Sequence, residues 1–274
     1  MLSRLSKWLV ITCMISVCAP AWATLSDAEA ANMSGLQRML SQRIAKNYLM
    51  IGQQVSVLEA RKQRETSILL FESNLRTLKT YAPTPEISSS LTKMEVLWSG
   101  YKKRVLTSPS KTEALIVLRQ SDEVLKVSES MVKQIQDHSK VSNARLVNIS
   151  GRQRMLSQRI GKLYLTKSWG LTYDGLDNDL SVAISEYESA LHELSTSAIN
   201  TADIHTGLAQ VNTIWKFSKA GFALSDDKLF VPTAICNTTE NLLKHMQTIT
   251  KLYEQQMQLA DNNNNKNKTV RKPS

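Results

Sequence analysis

Two arginines are the residues of this chain best placed to do chemistry. Arg38 and Arg154 each stand in a stretch reading Ser-Gly-x-Gln-Arg-Met-Leu-Ser-Gln-Arg, which begins at Ser34 and again at Ser150. Projected on a helix, Ser34, Arg38, Ser41 and Ala45 gather within about 60° of one another. Leu36, Leu40 and Ile44 form a separate apolar stripe. Ser150, Arg154, Ser157 and Gly161 repeat the cluster in the second stretch. Small residues, Gly35 and Gly151 among them, let a second helix approach closely. A guanidinium among them offers planar donors to a planar anion, and nearby hydroxyls offer more. Two such arginines facing each other would repel unless an anion lay between them, so binding would be coupled to helix position. The plainer alternative is a pair of solvated surface charges carried on snorkelling stems.

Other polar residues of the stretches read less sharply. Arg43 and Arg159 project near the core edge, where an intramolecular ion pair is favoured over a ligand contact. Lys46 and Lys162 are expected in solvent. Trp98 and Trp215 occupy matching places and read as core packing. Glu123 and Glu240 are also read as matching, as a ligand contact or a structural ion pair. His138, His192, His205 and His245 show no metal-ligand spacing, and neither a nucleophilic triad nor a Gly-rich phosphate loop is visible. The expectation is therefore a protein that is not an enzyme and uses no cofactor and no metal.

The elements that must position the arginines come from a duplication. Asn32–Lys46 recurs as Asn148–Lys162, and Tyr48-Leu49 recurs as Tyr164-Leu165. Phe71-Glu72-Ser73 answers Tyr187-Glu188-Ser189 at the same offset. After one inserted residue, Ile87, Leu91 and Trp98 answer Ile204, Leu208 and Trp215, and Glu123 and Leu125 are set against Glu240 and Leu242. The period of about 116 residues is too long for a solenoid. Only 9 Gly and 6 Pro punctuate the 274 residues, which favours long helices.

The fold class expected is all-α, two tandem four-helix bundles. The first helix opens on the capping box Ser26-Asp27-Ala28-Glu29, and its apolar spacing continues to Val55 and Leu58. Further helices are expected over about 64–80, 86–106 and from 111, then over 180–197, 203–220 and 232–259, with a loop over 170–179. No Gly or Pro lies between Lys111 and Ser150. One continuous helix could thus join the bundles end to end, roughly 80 Å long if unbroken to Leu165. A bend near His138-Ser139-Lys140 would instead set them side by side.

The chain's ends suggest where the protein works. Arg4 and Lys7, an apolar run from Leu9 to Ala19, and Ala21-Trp22-Ala23 read as a secretory signal over 1–23. The apolar run is about half the ~20 residues of a membrane span. Of three cysteines, Cys13 and Cys18 would leave with the signal, so Cys236 has no partner for an internal disulfide. The expected division is a first sensor domain over 24–140, a second over 141–260, and a disordered basic tail over 261–274. The formal charge of +10 lies partly in the signal and tail, which leaves a mildly basic body suited to a small anion. Nucleic acid is not expected, since basic and aromatic residues are not interleaved.

The two signatures resemble the periplasmic N-terminal domain of type IV pilus methyl-accepting chemotaxis transducers. They are similar also to the sensor domain of nitrate/nitrite sensor histidine kinases. The shared pattern, Gly-x-x-Arg-Met-x-Ser-x-Arg, stands here as Gly35–Arg43 and Gly151–Arg159. The resemblance implies four-helix bundles that sense a periplasmic ligand. It implies that Arg38 and Arg154 bind an anion at a dimer interface, as the arginine after Gly-x-x does in nitrate-sensing members. Members are usually tethered by membrane-spanning helices to a kinase or methyl-accepting module. With neither apparent in this sequence, the expected role is a soluble periplasmic binding protein for a small oxyanion, nitrate or nitrite first. It would act through a membrane-bound receptor or sensor protein, and a homodimer is an open option. The alternative is an interaction module that docks on a chemoreceptor or sensor kinase without a small ligand.

Overall fold

The computed structural model describes residues 25–139, 145–224 and 228–270, of which 260–270 as backbone path only. The signal sequence read over 1–23 lies outside the described residues. The described chain forms eight helices: α1 (Asp27–Gly52), α2 (Val57–Tyr81), α3 (Pro85–Val105), α4 (Lys111–Ser139), α5 (Arg145–Ser168), α6 (Leu176–Ser195), α7 (Ala202–Ala223) and α8 (Pro232–Val270). No strand occurs among the described residues. Each run of four makes one bundle: α1 packs on α2 and α4, and α3 on α4, while α5 packs on α6 and α8, and α7 on α8.

Local chemistry sets the helix starts. The Ser26 hydroxyl accepts from the Glu29 amide at 3.3 Å while the Glu29 carboxylate accepts from the Ser26 amide at 3.0 Å. That reciprocal pair satisfies two amides a helix start leaves free. Thr84 and Thr201 cap α3 and α7 in the same side-chain-to-amide way. α1 ends earlier than its apolar spacing suggests. Gln54 (φ 58°) and Ser56 (φ 44°) turn the chain through the left-handed region, and Leu58 is left 85% exposed on α2. Just before the turn the Trp169 ring packs on bare backbone at Gly52, where a β-carbon would lie 2.2 Å from it.

The bundles lie side by side, which overturns the continuous joining helix. α4 ends at Ser139 and α5 begins at Arg145 to run alongside α1. The two helices are parallel. Near their starts Arg38 meets Asn148, further along Lys46 meets Gly161, and at the far end Gln53 Nε2 donates to the Leu165 carbonyl at 3.0 Å. A two-fold pseudo-axis therefore runs between α1 and α5. The reason is burial. From Ser34 to Ile51 only Leu36 and Arg43 of α1 escape full burial, and from Ser150 to Thr166 only Arg152 and Arg159 of α5. Bundles stacked end to end would leave the small-residue face of both helices in water.

The matching tryptophans are core residues, as their spacing suggested. Trp98 stacks on Phe71 with ring centroids 3.9 Å apart, and Trp215 on Tyr187 at 4.3 Å. Each indole N–H donates to a carboxylate, Glu72 at 3.3 Å and Glu188 at 3.1 Å, so neither ring buries an unpaired donor. At the other end of the chain, α8 continues to Val270, past the point at Asp261 where disorder was expected.

Candidate functional site

The duplicated signature spends most of its polar side chains on internal bonds. Gln37 Nε2 donates to the Phe71 carbonyl on α2 at 3.0 Å, and Gln153 to the Tyr187 carbonyl on α6 at 2.8 Å. Gln42 and Gln158 reach α4 and α8, donating to the carbonyls of Ser121 (3.0 Å) and Thr239 (3.1 Å). The two Gln of each copy thus fasten its first helix to two neighbours in its own bundle.

The next pair of residues crosses between bundles. Arg43 and Lys46 of α1 both pair with Glu240 of α8, the lysine at 3.2 Å. Lys162 of α5 pairs with Asp122 of α4 at 2.7 Å, and Arg159 with Asp122 at 3.1 Å and Asp179 at 3.6 Å. Burial opposes the ionised carboxylates of Asp122 and Glu240, yet the adjacent cations outweigh it and hold both below the usual range. Two sequence expectations are corrected here. Lys46 and Lys162 are 1% and 0% exposed rather than solvated. The counterpart of Glu240 is Asp122 and not Glu123, which sits on the surface beside Arg119. A second inserted residue before the fourth helix shifts the correspondence by one. Arg43 and Arg159 are ion-paired.

Arg38 and Arg154 escape this pairing. Both are buried, 4% and 2% exposed, which excludes the solvated reading. They line one cavity of about 150 Å³ between the N-terminal halves of α1 and α5, the closing turns of α4 and the middle of α8. Its walls come in two-fold pairs: Ala31 with Val147, Asn32 with Asn148, Gly35 with Gly151, Gln136 with Glu254. The hydrogen bonds are exchanged across the axis. Arg38 Nη2 donates to Asn148 Oδ1 at 3.1 Å, and Arg154 Nη2 to Asn32 Oδ1 at 2.9 Å. Arg154 Nη1 also donates to Gln247 Oε1 at 2.8 Å. The Nε of each arginine is buried without an acceptor.

The glycine three residues earlier explains how each guanidinium reaches the cavity. A β-carbon at Gly35 would lie 3.3 Å from Arg38 Nη2, and one at Gly151 would lie 3.1 Å from Arg154 Nη2 and 3.9 Å from Arg38 Nη2. Each arginine therefore folds back along its own helix over a bare backbone, and the two guanidiniums converge near Gly151. Burial pulls Arg38 down to about 10, against the attraction of Glu129 and helped by the charges of Arg152 and Arg154. Burial likewise pulls Arg154 down to about 10, with Glu254 opposing. Both remain cations at neutral pH.

The predicted serines are not brought together with the arginines. Ser41 and Ser157 each donate to the carbonyl of their own arginine's residue, Arg38 and Arg154, at 2.8 Å, and Ser150 to the Val147 carbonyl at 3.0 Å. Ser34 is buried with its hydroxyl unpartnered. None of the four lines the cavity, whereas Gly35 and Gly151 do. Asn32, Asn148, Gln136 and Glu254 were missed. The two Asn were visible as a matched pair, but each serves the arginine of the other copy, which no single-helix projection shows. Among the described residues no His/Cys/Asp/Glu cluster could hold a metal, and no helix is long and apolar enough to cross a membrane.

Residues 21–124 and 138–228 both match the sequence model of the type IV pili methyl-accepting chemotaxis transducer N-terminal family. The chain belongs to this family. It carries the transducer sensing domain twice, and the two copies pack as the two halves of one pseudo-symmetric body. No curated protein and no solved structure matches the chain. The family is one of sensory rather than catalytic domains.

Proposed function

We propose that this protein is a periplasmic sensor or binding protein for a small oxyanion, with nitrate or nitrite the first candidates. The anion would sit between Arg38 and Arg154. The observation that carries this reading is two buried guanidiniums converging on one cavity, each hydrogen-bonded only to neutral amides. The other fully buried cations among the described residues, Lys46 and Lys162, have carboxylate partners; these two arginines have an unused Nε each and room between them. Like charges brought together in low dielectric repel, and an anion shared between them reverses the sign. Guanidinium also matches a planar oxyanion with paired donors. Because the duplicated chain supplies both halves of the site, one chain forms one complete cavity without a second copy. The bound state would be read by a membrane-bound receptor or sensor partner. An anion that draws α1 and α5 together changes the interface between bundles, and that is a signal a partner can detect.

The test is calorimetry and thermal unfolding of the mature protein with nitrate, nitrite and chloride. Nitrate at a hundred times its Kd should stabilise the fold by about 2.7 kcal/mol. Arg38→Ala and Arg154→Ala should each abolish the response, since each removes half of one site. No stabilisation at millimolar anion, or unchanged binding in both variants, would refute the proposal and favour a docking module without a small ligand.

A further inference from the structure

The cavity breaks its own two-fold symmetry in charge. Along the fourth helix of each bundle the matched positions are Glu129 with Gln247 and Gln136 with Glu254. In the first copy the carboxylate lies off the cavity wall, and it is neutralised: Glu129 pairs with Arg152 at 2.5 Å. The cavity position there is the neutral Gln136. In the second copy the pattern is reversed. Gln247 holds Arg154, and Glu254 stands in the cavity wall. Glu254 Oε1 is buried with no hydrogen-bond partner.

Glu254 has no cation in contact, although its charge is felt by Arg154. The groups around it can be named helix by helix. α5 contributes Arg154. α1 contributes Arg38, Asp27, which accepts from the Tyr81 hydroxyl at 2.7 Å, and Glu29, held in its capping box. α4 offers Gln136 and turns Asp137 and His138 to solvent. α7, which also packs on α8, begins with the exposed Asp203 and His205. Lys251 on α8 itself is exposed. Among the carboxylates lining the cavity, Glu254 is the one with a buried oxygen left unbonded.

We infer that Glu254 couples anion binding to proton uptake. This rests on the anion site proposed above. Ionised, Glu254 is a built-in competitor for Arg154 and repels an incoming anion. Protonated, it is neutral, and its hydroxyl can donate to the bound oxyanion. The exchange balances: one anion enters from solvent, one proton enters with it onto the Glu254 carboxylate, and no bond to the anion is made or broken. Burial already raises the Glu254 carboxyl above the usual range, against the pull of Arg154 and Lys251. An anion placed beside it would raise it further. Glu254 also lies outside the segments matched by the family model, which end at 124 and 228.

The test is isothermal calorimetry with nitrate, whose own charge is constant across the range, from pH 5 to 8 in two buffers of different ionisation enthalpy. In the unmodified protein affinity should fall by up to about tenfold per pH unit above the Glu254 titration, with close to one proton taken up per anion. Glu254→Gln should bind with no pH dependence, no proton uptake, and at pH 8 at least about tenfold more tightly. Glu254→Met, which lacks the amide, should show the same loss of pH dependence. A pH-independent unmodified protein, or a Glu254→Gln variant that binds equally or more weakly, overturns the inference while leaving the anion site intact. Absence of nitrate binding in both proteins at every pH instead refutes the anion site itself, and the inference with it.

Discussion

Replacing Asp122 by Asn puts a buried cross-bundle charge to the test. Lys162 is 0% exposed, and its ammonium donates to Asp122 Oδ1 at 2.7 Å and to Ser121 Oγ at 3.1 Å. The substitution removes the carboxylate and leaves a buried cation with one hydroxyl acceptor and an amide. Removing one partner of a buried pair costs about 3–5 kcal/mol. The Asp122 side chain is 36% exposed, and Arg159 keeps Asp179 at 3.6 Å. Water therefore screens part of the lost charge, and the expected destabilisation is about 2–3 kcal/mol at pH 7. The pH dependence has a sign. Burial holds Lys162 below its usual range, against the pull of Asp122. Without Asp122 it falls further, so between its folded and unfolded pKa the unfolded chain binds more protons and stability rises with pH. The deficit of the variant should therefore narrow from pH 7 to pH 10. On the acid side, Asp122 sits below the ordinary carboxylate value because its cations outweigh burial. Its contribution is complete above that value and is lost as pH falls through the folded pKa, so the variant lacks that portion of the acid sensitivity. Urea unfolding followed by circular dichroism at pH 4, 7 and 9 measures all of this, with an unchanged m-value expected. A loss below about 1 kcal/mol at pH 7, or a deficit that grows toward pH 9, would refute the reasoning.

Two further outcomes follow from the same interface. Gly161→Leu should cost about 1–3 kcal/mol by overpacking, because a β-carbon there already lies 3.0 Å from Lys46 Cδ and Thr239 Oγ1; thermal unfolding measures it, and a neutral result would mean α1 and α5 are not in close contact. Residues 25–139 expressed alone should dimerise through α1, since Lys46 of each copy could meet Asp122 of the other as Lys162 does here; sedimentation equilibrium at tens of micromolar would show a monomer if that is wrong.

Local signals carried much of the fold. The Ser26–Glu29 capping box and the start of α4 at Lys111 were legible because each depends on a few neighbouring residues. The end of α1 was not. Val55 and Leu58 keep helical spacing, but the Trp169 ring packed against Gly52 comes from the other repeat. The arginines were legible as the odd cations on a face of small residues. Their serine neighbours do not line the cavity, because a helical projection says which way a side chain points and not that its hydroxyl turns back to its own backbone.

The sequence by itself determined that this is a duplicated, all-helical sensing domain with one conspicuous arginine per copy. Repeat identity and helical period are properties of the chain alone. Only the tertiary structure decided that the copies lie side by side, that α1 and α5 run parallel, and that Arg38 and Arg154 share a single cavity. It alone showed that Lys46 and Lys162 are buried, since the carboxylate that allows burial of Lys46 lies 194 positions away. The two lysines leave water because a carboxylate waits for each. That partner is chosen by packing between distant helices, which residue spacing along one helix does not encode.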